Sequence, residues 1–214
     1  MPAHRQIGLI MATYLEAKPF VKGFQWKRSE DAPFPAYQGS GLVLVISGMG
    51  KANAAAACAW LCTTREPGCI INLGAAGANS TSLTPGSIHH IREVRETDRC
   101  HFKTGEPLCH RPHVMAGFST VRLATRDEPV IDPKERLRFS NLAELSDMEG
   151  AAIIHTARRF QTPCYVFKFV SDTPEHTTGS QIAANIREFR EHVFNFFAKE
   201  LHPAYRRSGT ATRL

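Results

Sequence analysis

The feature that most constrains the fold of this chain is the alternation of short apolar segments with helix-like segments. Four apolar segments are typical of buried strands, at 6–12, 42–46, 69–73 and 164–170. Helical composition occurs at 51–64, 149–160 and 182–201. Segment 42–46 is purely aliphatic, as in strands covered on both faces. This alternation predicts an α/β fold with three α/β/α layers around a central mixed, mostly parallel twisted sheet.

The length and composition predict one well-buried domain. The chain has 214 residues, of which 43% are hydrophobic. We find no internal repeat and no linker, so we expect a single domain over 1–202 and a flexible polar tail over 203–214. Segments 87–94 and 119–124 are expected to be extended. Residues 95–118 are polar and rich in His and Cys, which favours a long irregular loop.

Charge and hydropathy bear on the class of partner. The net charge is +6, but no run of basic residues is interleaved with aromatic ones, so we expect no nucleic-acid partner. No stretch of about 18 apolar residues is present, so we expect no membrane span. The N-terminus lacks a secretory cleavage pattern, which predicts a cytoplasmic protein with six free thiols. Cys58 and Cys62, four residues apart in a helical segment, are expected in the core.

Three acidic residues follow predicted strands. Glu16 comes after the first strand, Glu149 lies between a short apolar segment and a helix, and Asp172 follows the last buried strand. In such sheets ligands bind beyond the carboxyl ends of the strands. Three carboxylates at that edge suit a polyhydroxylated substrate that develops positive charge, such as a nucleoside.

Each acid also has a purely structural interpretation. Glu16 is compatible with a solvated helix residue, and Glu149 with an acid that interacts with the dipole of its own helix. Asp172 is compatible with a turn or cap residue. The residue types alone therefore leave both interpretations open.

Five segments occur in the order and at the spacing typical of one protein family. They are 7–10 with Glu16 beyond them, Ser-Gly-Met-Gly-Lys at 47–51, Ile-Asn-Leu-Gly-Ala-Ala-Gly at 71–77, Asp-Met-Glu-Gly-Ala-Ala at 147–152 and Val-Ser-Asp at 170–172. On these segments the chain resembles the nucleoside phosphorylase/nucleosidase superfamily. It is most similar to the 5′-methylthioadenosine/S-adenosylhomocysteine nucleosidases and the futalosine hydrolases.

The resemblance implies a role for each acid. Asp172 matches the acid that protonates or hydrogen-bonds N7 of the leaving purine, a role that burial or a neighbouring acid would support. Glu149 matches the carboxylate that accepts hydrogen bonds from the ribose 2′- and 3′-hydroxyls. Glu16 matches the residue that holds and activates the attacking water in the nucleosidases.

The resemblance also implies a set of substrate-binding residues. Met148 is expected against the ribose. Segment 125–130 resembles the family's base-binding segment, and Val130 at its end is expected to bind the base through its backbone. The remaining members of the set are Ser171, Ala75 and Gly77.

Two departures from the family pattern matter for the reaction and for the base. The phosphate-binding Arg and Ser of the phosphorylases fall at Asn72 and Ala75, which bring no charge to a phosphate. Pro129 stands where relatives often place an aromatic residue that stacks on the base, so adenine preference is not implied.

We therefore expect an N-glycosidase that hydrolyses a purine-type nucleoside, such as methylthioadenosine, S-adenosylhomocysteine or futalosine, to free base and sugar. A phosphate-dependent phosphorylase and a non-catalytic nucleoside-binding protein remain alternatives. We expect no cofactor. The Cys/His stretch at 100–113 lacks a Cys-x2-Cys pair, so no metal is predicted. The resemblance implies a homo-oligomer.

Overall fold

The computed structural model describes residues 6–211, with side chains described to residue 207. Ten strands lie in this range: β1 (Ile7–Met11), β2 (Lys27–Arg28), β3 (Ala36–Gly39), β4 (Leu42–Ile46), β5 (Cys69–Ala78), β6 (Ile88–Cys100), β7 (Pro107–His110), β8 (Thr120–Thr125), β9 (Leu145–Asp147) and β10 (Cys164–Asp172). The helices are α1 (Tyr14–Gly23), α2 (Lys51–Thr64), α3 (Pro133–Ser140), α4 (Gly150–Arg159), α5 (Gly179–Phe196) and α6 (His202–Ala211). A π-helical turn, Phe197–Leu201, joins α5 to α6. Within residues 6–211, no helix has the length and apolar character needed to cross a bilayer.

The strands form one mixed sheet, which confirms the α/β class. The parallel pairings are β1–β4, β1–β5, β5–β10, β6–β8 and β8–β9. The antiparallel pairings are β2–β3, β3–β4, β5–β9, β6–β7 and β6–β10. The prediction of a mostly parallel sheet is therefore wrong for the described residues. The turn at Ser40 and Gly41, with positive φ angles, produces the antiparallel β3–β4 pair, whereas β5–β9 and β6–β10 join strands far apart in the chain, which the strand–helix pattern does not reveal.

The sheet closes on itself at one end. β10 pairs with β5 on one side and with β6 on the other, so that β5, β10, β6, β8 and β9 form a ring. β1, β4, β3 and β2 extend from β5 as an open wing. The predicted arrangement of three α/β/α layers does not describe the closed part of this sheet.

Both faces of β4 are covered, as its aliphatic sequence predicts. Leu42 and Leu44 pack in a cluster with residues of α1, α5 and the π-helical turn. Val43 and Val45 lie in a second cluster with residues of α2 and α4, which includes the buried Cys58 and Cys62. Successive strand side chains point to opposite faces, so an unbroken apolar strand requires helices on both sides.

β5 is longer than the sequence suggests. The strand was predicted to end at residue 73, but the segment Gly74–Gly77 continues β5 to Ala78. Pairing with β10 holds it extended, with Gly74 opposite Lys168 and Gly77 opposite Asp172. The glycines serve to admit neighbouring side chains, and this extension carries the candidate site.

The predicted loop at 95–118 is largely a hairpin. β6 continues to Cys100 and pairs with β7, which ends at His110. The polar composition of this segment did not predict a strand. β6 can nevertheless contain a buried acid, because that acid is paired. Glu96 is buried and contacts Lys51 Nζ and His110 Nε2, each at 3.0 Å.

The predicted polar tail is helical over most of its length. α6 runs from His202 to Ala211, and Ala204 and Tyr205 pack against the core on the α1 and α5 side. These contacts attach the segment to the core. Residues 212–214 of the predicted tail lie outside the described residues.

Candidate active site

Glu16 is buried in the first turn of α1, with 4% of its surface exposed, so it is not a solvated helix residue. Its Oε2 accepts hydrogen bonds from the Thr13 backbone N–H at 2.8 Å and from the Thr13 hydroxyl at 2.6 Å. This is a capping box that starts α1. Oε1 accepts from the Ala75 N–H at 2.7 Å. The carboxylate is thereby fixed between α1 and β5.

Gly74 explains how Glu16 approaches β5 so closely. A Cβ at position 74 would lie 3.0 Å from Glu16 Oε1 and 3.7 Å from Lys168 Nζ. A side chain there would press on the carboxylate. The two distances also show that the Glu16 carboxylate and the Lys168 ammonium both lie next to Gly74.

Lys168 on β10 is a site residue that the sequence analysis missed. It is fully buried, and its Nζ lies 2.8 Å from Asp147 Oδ2. Burial alone lowers the pKa of the Lys168 ammonium, but the negative charges around it, led by Asp147 and Glu149, outweigh burial and raise that pKa above its ordinary value. A lysine between Phe167 and Phe169 in a buried strand was the available signal, because an isolated charge is not stable there.

Asp147 at the end of β9 holds Lys168 in place. Its carboxylate also accepts hydrogen bonds from the Thr125 hydroxyl and, at 2.8 Å, from the Gly150 N–H. The side chain is completely enclosed. Asp147 belongs to the family segment at 147–152, but no function was predicted for it.

The side chain of Glu149 does not bond to its own helix. It is the residue before α4, and no side-chain cap bond forms there. Its Oε1 instead accepts a hydrogen bond from the Gly50 N–H at 2.9 Å, at the start of α2. Burial raises the pKa of Glu149 to about 7, and the nearby negative charge of Asp147 adds to this, while Lys168 and the Gly50 amide oppose it.

The N-terminus of α2 binds a second carboxylate next to Glu149. The Lys51 N–H donates to Asp127 Oδ1 at 2.6 Å. Gly50 adopts a φ of 92°, a conformation that favours glycine. Acidic groups at a helix N-terminus are stabilised by the helix dipole. Asp127 belongs to the predicted base-binding segment, so α2 links that segment to Glu149.

Asp172 ends β10 and is buried. Its Oδ2 forms an ion pair with Arg136 Nη2, and its Oδ1 accepts a hydrogen bond from the Ser171 hydroxyl. The expected setting of apolar burial or a neighbouring acid is therefore not the one observed, because a guanidinium from α3 lies against this carboxylate. Arg136 was missed by sequence analysis, since it stands in a strongly polar helix.

Of the other predicted binding residues, Ser171, Ala75 and Gly77 lie beside these acids. Ser171 is buried and also donates to the Ala76 carbonyl at 3.2 Å. Ala75 and Gly77 belong to β5. Ala75 donates its N–H to Glu16, and Gly77 lies opposite Asp172. Met148 is half-buried between Asp147 and Glu149, and Val130 is buried between β8 and α3.

The site thus has two halves on one strand. Glu16 and Glu149 surround Lys168 near Gly74, and Asp172 meets Arg136 beside Gly77. β5 supplies the backbone of both halves. The convergence of the three acids on the carboxyl ends of the strands was predicted, and the cations between them were not.

Two side chains that could be considered for phosphate binding, Asn72 and Lys51, are bonded to other groups. Asn72 is buried, and its Nδ2 donates to the Ile10 carbonyl at 3.3 Å. Lys51 Nζ pairs with Glu96 at 3.0 Å and with Asp98 at 2.7 Å.

The Cys/His stretch at 100–113 has no metal-binding geometry. Cys100 and Cys109 are exposed, and His110 pairs with Glu96. In the described part of the chain, no group of three or more His, Cys, Asp or Glu side chains is placed to hold a metal ion.

Comparison with known proteins gives consistent results. The chain matches a family model described as Phosphorylase superfamily over residues 6–120 and 116–202. The 5′-methylthioadenosine/S-adenosylhomocysteine nucleosidase of Bacillus subtilis (strain 168) is 29% identical over 164 residues, which cover 64% of this chain and 70% of that protein.

Solved structures share the fold at lower identity. The Helicobacter pylori 5′-methylthioadenosine/S-adenosylhomocysteine nucleosidase has a TM-score of 0.81 at 14% identity, and the alignment covers 94% of this chain and 99% of that one. The futalosine hydrolase of Helicobacter pylori strain 26695 has a TM-score of 0.80 at 15% identity, with coverage of 91% and 96%.

The resemblance predicted from the five sequence segments is confirmed, and so is the expected enzyme class, since the similar proteins are named as nucleosidases and a hydrolase. The matched ranges include Glu16, Glu149 and Asp172. The chain belongs to the Phosphorylase superfamily.

Proposed function

We propose that this chain hydrolyses the N-glycosidic bond of a purine-type nucleoside and releases free base and free sugar. The observation that carries the proposal is the buried carboxylate of Glu16, which the Ala75 N–H fixes at 2.7 Å. In the proposed reaction a water molecule attacks C1′ of the ribose and the bond from C1′ to the base breaks. Glu16 accepts a proton from that water.

The charge around Glu16 favours water over phosphate as the nucleophile. Lys168 is one cation among three acids, since it pairs with Asp147 and is close enough to Glu16 and Glu149 for their charges to raise its pKa. A phosphate dianion brought to this cluster meets net repulsion. The positions that would supply phosphate ligands hold Asn72 and Ala75, and Lys51 is engaged with acids.

Glu149 is proposed to bind the ribose hydroxyls. Its Oε1 is already oriented by the Gly50 N–H at 2.9 Å. A carboxylate accepts several hydrogen bonds at once, so vicinal hydroxyls can add to this contact. As the bond to the base breaks, the ribose becomes cationic and the negative cluster stabilises it. Met148, the residue before Glu149, is proposed to contact the face of the sugar.

Asp172 is proposed to act in its protonated form, donating a hydrogen bond to N7 of the leaving purine and transferring that proton to N7 as the bond from C1′ to the base breaks. The carboxylate that remains is stabilised by the Arg136 guanidinium. Ser171 and Arg136 hold its two oxygens. Gly77 lies opposite Asp172 on β5, and Val130 is proposed to contact the base from the segment after β8.

The named relatives suggest the substrate class. 5′-Methylthioadenosine, S-adenosylhomocysteine and futalosine are purine nucleosides that differ in the 5′ substituent and the base. On the resemblance alone we further propose that the chain works in the cytoplasm as a homo-oligomer with residues 1–202 as one domain. Light scattering of the purified protein tests the oligomeric state.

Product analysis tests the reaction. The purified chain is incubated with methylthioadenosine, S-adenosylhomocysteine, futalosine, inosine and adenosine in phosphate-free buffer, and the products are identified by mass spectrometry. We expect free base and free sugar from at least one substrate, with no first-order dependence on added phosphate. Sugar 1-phosphate formed only with phosphate would instead identify a phosphorylase. Tight binding with no turnover of the whole panel would identify a nucleoside-binding protein.

A further inference from the structure

Arg136 is the largest fully buried side chain among the described residues, and α3, which carries it, has no other buried residue. Its neighbours Lys134 and Arg138 lie at the surface. Enclosing a guanidinium is costly unless partners compensate for the lost hydration. The position of Arg136 therefore requires an explanation beyond the packing of α3.

The contacts of Arg136 all lie on the Asp172 half of the site. Nη1 donates to the Ala78 carbonyl at 2.6 Å, and Nη2 pairs with Asp172 Oδ2. A Cβ at Gly77 would be 2.7 Å from Nη1 and 2.8 Å from Asp172 Oδ2. The guanidinium thus spans from the end of β5 to the end of β10.

The planar shape of arginine suits this position. Its two terminal nitrogens reach two acceptors in fixed directions, which a lysine ammonium on a flexible stem does not reproduce. Ser171 bonds to the other oxygen of Asp172. With one donor on each oxygen, rotation of the carboxylate about its last torsion is blocked.

α3 also follows the segment proposed to contact the base. Arg126 in that segment pairs with Glu135, the neighbour of Arg136 in α3. The helix therefore bonds to the base segment at one residue and to Asp172 at the next. A single turn of α3 therefore connects the base segment to the carboxylate of Asp172.

We propose that Arg136 is a positioning residue for Asp172, which fixes the orientation of the carboxylate toward the base. The inference rests on the proposed function, because it gives Asp172 the base as its target. Arg136 itself does not touch the substrate in this scheme. Its effect on turnover passes through Asp172.

A double-mutant cycle tests this dependence. The variants are Arg136→Met, Asp172→Asn and the double variant, with Arg138→Met as the matched exposed control on the same helix. We expect Arg136→Met to lower kcat about 10²-fold, the scale of a misplaced catalytic group, with KM changed less than about threefold. In the Asp172→Asn background the same substitution should lower kcat less than about threefold. Arg138→Met should match the wild type.

The outcomes separate this inference from the proposed function. If Arg136→Met lowers kcat by the same factor in both backgrounds, its effect does not pass through Asp172 and the inference fails. If Arg136→Met leaves kcat unchanged, the inference also fails. A wild type that hydrolyses no nucleoside, or an Asp172→Asn variant with full activity, would contradict the proposed function instead. Thermal unfolding of each variant identifies loss of fold, and if Arg136→Met is unfolded, the cycle is repeated with Arg136→Lys under the same criteria.

Discussion

The ammonium of Lys168 lies 2.8 Å from the carboxylate of Asp147, and both side chains are enclosed in the sheet. This ion pair ties β10 to β9 across the end of β5. It also places one positive charge among the acids of the candidate site. The consequences of this arrangement can be measured separately for stability and for turnover.

Removing Lys168 should destabilise the fold. Lys168→Met leaves Asp147 buried without its cation, and we expect a loss of about 3–5 kcal/mol in the free energy of unfolding. Denaturation with urea measures this loss. Lys199→Met, at an exposed lysine, is the control and should change the free energy by less than about 0.5 kcal/mol. A Lys168→Met variant as stable as the control would show that the pair contributes little.

Glu16→Gln should abolish hydrolysis while leaving nucleoside affinity within about tenfold, because the residue acts on water in the transition state. The amide preserves the shape of the carboxylate but does not accept the proton. Steady-state rates and the affinity for an unreactive nucleoside analogue measure the two effects. Glu188→Gln, at an exposed position on α5, serves as the control. Substantial hydrolysis by the Glu16 variant would remove this residue from the mechanism.

Glu149→Gln should reduce activity on ribosides far more than on 2′-deoxyribosides. The deoxy substrates lack one of the hydroxyls that this carboxylate is proposed to hold, so they have less to lose. The ratio of kcat/KM for matched pairs of substrates gives the comparison. Equal losses on both classes would indicate that Glu149 serves only to hold Gly50.

Glu149 should also impose a pH dependence on stability. Burial raises its pKa from 4.5 to about 7 in the folded chain, whereas in the unfolded chain it ionises near its ordinary value. The folded state therefore retains a proton that the unfolded state loses between these values. The resulting stability is fully present below pH 4.5 and is lost as the pH rises through about 7.

The comparison of wild type with Glu149→Gln isolates this effect. The variant lacks the titrating group, so other acids cancel in the difference. Between pH 4.5 and pH 8, we expect the unfolding free energy of the wild type to fall by up to about 3 kcal/mol relative to that of Glu149→Gln. Urea unfolding at several pH values measures it. A difference that stays constant with pH would contradict the raised pKa.

Gly77→Ala should impair turnover without removing any catalytic group. The added Cβ would lie 2.7 Å from Arg136 Nη1 and 2.8 Å from Asp172 Oδ2, so the pair must shift. We expect a loss of about 10–100-fold in kcat, as for a misplaced catalytic group. Gly179→Ala is the matched control, because a Cβ there meets no atom within 4 Å. Equal activity of the two variants would show that the pair tolerates displacement.

The sequence correctly predicted elements whose signal lies within the element itself. β4 and α2 were placed correctly because the aliphatic run and the alanine-rich segment are signals within one element. Glu16, Glu149 and Asp172 were selected because each follows a strand, and strand ends meet at one edge of a sheet.

The missed features depend on residues far apart in the chain. The charges of Lys168 and Arg136 are acceptable in the interior only because Asp147 and Asp172 meet them there, and neither partner is visible from the local sequence. Closure of the sheet depends on β10 pairing with two strands at once. The predicted strand stopped before Gly74, although this glycine lies within β5 and leaves room for the Glu16 carboxylate.

The capping box of Glu16 has a consequence for folding intermediates. One oxygen of this carboxylate starts α1, and the other is held by a strand more than fifty residues later in the chain. A molecule in which α1 has frayed, or in which β5 has not yet docked, lacks an oriented carboxylate. Partly folded chains should therefore be inert toward nucleosides rather than weakly and indiscriminately reactive. Appearance of activity during refolding would then report the docking of α1 on β5.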